Sequence, residues 1–85
     1  MRKQTVKQAL KGMAPDQEVI VDVYAYGISY ACTLRDGMRT AAECLERVRY
    51  DILAAKVLEV KEQTWRDRIN AKDVTSKVLV CDLAK

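Results

Sequence analysis

The sequence predicts one small α+β domain spanning residues 1–85, with elements in the order αββαββ, antiparallel hairpins and helices packed on one face of the sheet. Three observations predict it. Residues 18–34, EVIVDVYAYGISYACTL, alternate about a central Tyr26-Gly27. Two capping boxes, Thr5-Val-Lys-Gln8 and Thr40-Ala-Ala-Glu43, each open an apolar stripe at helical spacing. The closing run Lys77-Val-Leu-Val-Cys-Asp-Leu83 reads as a strand.

The first helix covers Val6 to Lys11. Val6, Ala9, Leu10 and Met13 make one stripe, Gly12 is placed to stop the helix, and Pro15-Asp16 marks a turn. In the hairpin that follows, Tyr26 and Gly27 as turn residues set Val23 against Tyr30, Val21 against Cys32 and Val19 against Leu34. All these pairs are apolar. The other face takes Ile20/Thr33, Asp22/Ala31 and Tyr24/Ser29. A slip of one residue would mix the faces, so the pattern itself specifies the register.

Arg35-Asp36-Gly37 breaks the alternation. From Thr40 onward Ala41, Leu45, Val48 and Ile52 recur as one stripe, and Glu43 and Arg47 are spaced as an exposed ion pair. This main helix should lie on the Val19/Val21/Val23 face. Its end is ambiguous, because no Gly or Pro follows Gly37. Branched residues and alternation in 56–62 favour a strand over 57–64 that pairs with 78–83 and leaves 64–76 as a loop. The alternative is one hairpin, a single long helix over 40–70 and a C-terminal strand.

Composition narrows function. There is no histidine, which removes Ser-His and Cys-His nucleophile pairs and most zinc sites. The three glycines are isolated, so no phosphate-cradling loop exists. Cys32, Cys44 and Cys81 are odd in number, widely spaced and set among apolar neighbours. They read as small buried hydrophobes in a cytoplasmic, reducing setting rather than a disulfide framework. No run approaches the ~18 apolar residues of a membrane span, and no membrane partner is expected. No enzyme activity, cofactor or metal site is expected either. A net charge of +3 permits an acidic partner without demanding one.

Two segments remain for binding. Trp65, Arg66 and Arg68 place an aromatic beside guanidinium groups, a combination common at protein interfaces. Arg2, Lys3 and Lys7 in the basic segment 2–11, with Lys72 in the segment 65–77, would suit a nucleic-acid contact if all stood on one face with Arg66 and Arg68.

Thr5-Val6 opening a short helix, Ala14-Pro15-Asp16 with Glu18-Val19 entering a strand, Ile52-Leu53 before Val57-Leu58-Glu59-Val60, and the closing Lys77-Val78-Leu79-Val80 carry a resemblance. The chain resembles small uncharacterised proteins carried by bacteriophages and prophages. It departs from them in its basic segment after Thr64 and its positive charge. The resemblance implies a fold and a mobile-element origin. With the missing catalytic inventory, it sets the leading expectation: a non-catalytic protein-interaction module that binds a host protein or defence component. The alternatives are a nucleic-acid-binding domain and a small structural subunit that forms a homodimer through a sheet edge.

Overall fold

The computed structural model describes residues 4–83, with all their side chains except those of Leu34 and Arg35. Elements follow in the order α1 (Val6–Lys11), β1 (Val19–Ala25), β2 (Ile28–Ala31), α2 (Cys32–Arg35), α3 (Ala41–Arg47), α4 (Tyr50–Leu53), β3 (Val57–Asp67) and β4 (Lys72–Asp82). The chain is a single α+β domain, and 53–64 resolves towards strand rather than a long helix.

Both ends of α1 follow from its sequence. The Thr5 hydroxyl accepts from the Gln8 amide at 3.2 Å, and the Gln8 side chain accepts from the Thr5 amide at 2.9 Å. The helix stops at Gly12, and Val6, Ala9 and Leu10 are buried. Thr40 caps α3 through its hydroxyl alone, which accepts from the Glu43 amide at 3.3 Å. The Glu43 carboxylate takes the Thr40 hydroxyl at 3.0 Å, and Arg47 donates to the Asp36 carbonyl at 3.4 Å, so the spacing of Glu43 and Arg47 serves other partners.

The predicted main helix is broken. Val48 and Arg49 have ψ near 140°, and the Ile52 and Leu53 amides close back on the Arg49 carbonyl to start α4. The break lets the chain turn towards β3 while Val48 and Ile52 both stay in the core. A branched residue in extended backbone at the break needs no Gly or Pro, which is why the sequence shows no stop.

β1 and β2 pair in the predicted register, Asp22 with Ala31, Val23 with Tyr30 and Tyr24 with Ser29. Tyr26 and Gly27 both take positive φ, 54° and 82°, as a two-residue turn with matching twist requires. The hairpin ends sooner than the alternation suggests. After Ala31 the chain enters α2, so the pairings expected for Cys32, Thr33 and Leu34 do not form. The Thr33 hydroxyl takes over the work of the missing strand. It accepts from the Val21 amide at 3.2 Å and donates to the Val19 carbonyl at 3.4 Å. The Cys32 thiol donates to the Val21 carbonyl at 3.6 Å, and the Val19 amide donates to the Arg39 carbonyl at 2.9 Å. The edge of β1 is thus satisfied by side chains and a loop, as buried backbone must be.

The two hairpins join through β1 and β4, which run parallel, Val19 beside Lys77 through Tyr24 beside Asp82. The four-stranded sheet is therefore mixed, in the order β2-β1-β4-β3. One face carries Val19, Val21, Val23, Leu79 and Cys81, which pack with Val6, Leu10, Ala41, Cys44, Val48 and Ile52 into one core. The helices lie on this face. The other face, with Ile20, Asp22 and Tyr24 on β1 and Val78 and Val80 on β4, has no helix across it among the described residues.

Candidate interaction surface on the β3–β4 ribbon

β1 reaches only to Val19 beside Lys77, whereas β3 and β4 continue past it. Five pairs, Gln63/Ser76 to Asp67/Lys72, form a two-stranded ribbon that extends roughly 17 Å beyond the sheet at ~3.4 Å per residue. The predicted loop over 64–76 is this ribbon, with only residues 68–71 as its turn. Thr64, Trp65, Val74 and Thr75 are good strand residues. The turn is built by Asp67, whose carboxylate accepts from the Ile69 amide at 3.0 Å and from Asn70 at 3.3 Å (backbone) and 2.8 Å (side chain). The side-chain bond from Asn70 is the chief reason the Asp67 carboxyl is held below its ordinary range. Asp67 and Asn70 are turn-forming residue types that could have marked this turn in the sequence, and Ala71 closes it at φ 53°.

Gln17 braces the base, donating to the Glu18 carbonyl at 3.0 Å and the Thr75 carbonyl at 3.1 Å. Cross-strand pairs stiffen the rest. The Thr64 and Thr75 hydroxyls meet at 3.2 Å, Arg66 and Asp73 at 3.5 Å, and Lys77 donates to Glu62. That bond and the charge of Lys77 hold the Glu62 carboxyl low.

The sequence-derived site residues part company here. Trp65 and Arg66 lie on opposite faces of β3, Arg68 is in the turn, and Lys72 opens β4. The Trp65 indole donates to the Ser76 hydroxyl at 3.0 Å and is 37% exposed, so it caps a buried serine and still meets solvent. Beside it lies a cleft of about 270 Å³ lined by Glu18, Ile20, Arg39, Gln63, Trp65 and Ser76. Glu18 and Arg39 had no signal in the sequence, because they arrive from the start of β1 and the loop before α3. Lys7 sits on α1, next to Thr5, which bridges Lys56 at the opposite end of β3. It is separated from Lys72 by the length of that strand, roughly 30 Å. Arg2 and Lys3 lie outside the described residues. The described basic residues of the two segments therefore do not share one patch.

The three cysteine thiols, all buried, are shifted away from reactivity. The Cys44 thiol is pushed up to about 12 by burial first and by Cys32 and Glu43 after it. Burial, with Cys32, Asp22 and Asp82, pushes the Cys81 thiol up to about 11, and burial with Asp36 raises Cys32. A reactive thiol needs the opposite shift. Among the described residues no three His, Cys, Asp or Glu side chains come together in a way that could hold a metal ion. No helix of the described residues is long and apolar enough to cross a membrane. Comparison with protein-family models, curated proteins and solved structures finds no match to this chain.

Proposed function

We propose that this chain is a small non-catalytic protein-interaction module of phage or mobile-element origin, acting in the cytoplasm and docking a protein along β3. One observation carries the reading. β3 is an edge strand of eleven residues, exposed from Leu58 to Arg66, and it bears Leu58, Val60 and Trp65 on its surface. A long open edge offers a row of unpaired amides and carbonyls to another chain. The other edge, β2, has four residues. Trp65, Arg66 and Arg68 are the side chains that would add specificity to pairing along this edge. The resemblance to phage and prophage proteins supports the origin.

Placing a photo-crosslinking residue at position 68, or at the exposed Glu46 on α3 as a control, tests the surface in cells. The expected result is a protein adduct from position 68 and none from position 46. Absence of any adduct from position 68 overturns the reading.

A further inference from the structure

The geometry points to a second copy of this chain as the occupant of the β3 edge, paired antiparallel about Thr64 so that two sheets become one of eight strands. The inference rests on β3 being the docking element and names its partner.

Residues 61–67 read Lys-Glu-Gln-Thr-Trp-Arg-Asp. Laid antiparallel on itself about Thr64, this segment sets Lys61 opposite Asp67 of the second copy and Glu62 opposite Arg66. Gln63 then meets Trp65, and Thr64 meets Thr64. Every charge faces its opposite, and two-fold symmetry makes each charged pair twice. Opposite charges across a strand pair stabilise it and like charges oppose it. Other centres do worse. A centre at Lys61 opposes two lysines, one at Glu62 opposes two glutamates, and one at Gln63 sets Glu59 against Asp67.

The contacts already present within one chain extend the pattern. Lys77 pairs with Glu62, and Arg66 pairs with Asp73. Pairing about Thr64 therefore builds a row Lys77–Glu62–Arg66–Asp73 across the seam, alternating in sign over four strands. The Thr64–Thr75 contact becomes a row of four threonines. These residues share one side of the ribbon, as their register with β4 requires.

Access agrees with this register. The start of the edge is occupied within the chain: the Val57 amide donates to the Gln4 carbonyl at 2.8 Å, and Thr5 bridges Lys56. Residues 61–67 lie beyond that cover. The register sets the tip residue Ile69, 94% exposed, opposite Glu59 of the second copy, flanked along that strand by Leu58 and Val60, themselves 42% and 53% exposed.

Thr64 stands on the two-fold axis, which gives a test that any other dimer would not satisfy. Sedimentation velocity is run on the native chain, on Thr64→Lys, on Thr64→Glu and on an equal mixture of the variants. The expected result is a dimer for the native chain, monomers for each variant alone, at least a tenfold loss of self-affinity, and a dimer again on mixing. Recovery on mixing also shows that both variants are folded. A native chain monomeric into the high micromolar range overturns self-pairing; the docking reading then stands or falls separately on whether position 68 crosslinks to a different protein. A dimer that Thr64→Lys leaves intact, or variants that stay monomeric when mixed, overturns the register.

Discussion

Val21→Asp is expected to abolish the cooperative unfolding transition, whereas Asp22→Val leaves it close to that of the native chain. The Val21 side chain is fully buried in the centre of the core, beside Leu79 on the parallel strand β4. Its immediate polar neighbour, the Thr33 hydroxyl, is already committed to the backbone of β1. A carboxylate there would have no cationic partner, and burying one costs several kcal/mol. A chain of this length has on the order of 5–10 kcal/mol of net stability, so most of it would be lost. Asp22 stands one residue away on the open face, half-buried, with Ala31 and Val80 beside it in register. A valine adds apolar surface there and strands no charge. Guanidinium denaturation followed by circular dichroism checks both variants; similar midpoints would mean that the faces of the sheet are misassigned.

Thr33→Val is expected to cost about 2–4 kcal/mol, because it removes the hydroxyl from two backbone groups of β1 while preserving shape. The Val21 amide and the Val19 carbonyl would lose their contacts to this hydroxyl in a place where water cannot replace it, since Thr33, Val19 and Val21 are all buried. Thr33→Ser keeps the hydroxyl and removes one methyl group, so about 1 kcal/mol is expected. The comparison of the two unfolding midpoints isolates the hydrogen bonds from the packing. Equal losses would show that Thr33 matters only for its volume.

How much of this was legible in the sequence depends on which force leaves a pattern. Burial on one face of a strand leaves a period of two, and the register of Val23 with Tyr30 was readable from it. Caps leave fixed offsets, and Thr5/Gln8 and Thr40/Glu43 both delivered them. The end of β2 left no mark. Cys32, Thr33 and Leu34 continue the alternation, and the hydroxyl that replaces the ladder is a single atom. The parallel pairing of β1 with β4 was equally silent, because an alternating strand looks the same whichever neighbour it has. Trp65 beside Arg66 and Arg68 marks the ribbon as a candidate surface, but the turn rests on two residues, Asp67 and Asn70, too short a pattern to reveal the extended edge. Once that edge is known to be a strand, the charge order of residues 61–67 acquires a meaning that a loop would not have given it.

That edge is where the functional account is most exposed to test. Amide hydrogen exchange, followed residue by residue in dilute and concentrated solution, reads it directly. In dilute solution alternate amides between Lys61 and Asp67, those pointing away from β4, should exchange freely. With rising concentration they should become protected, while amides of β1 and of β4 at positions 77–81 keep the slow exchange of a buried sheet. Protection that appears instead along β2 or over the open face, with 61–67 unchanged at every concentration, would contradict the assignment of β3 as the docking strand for a second copy.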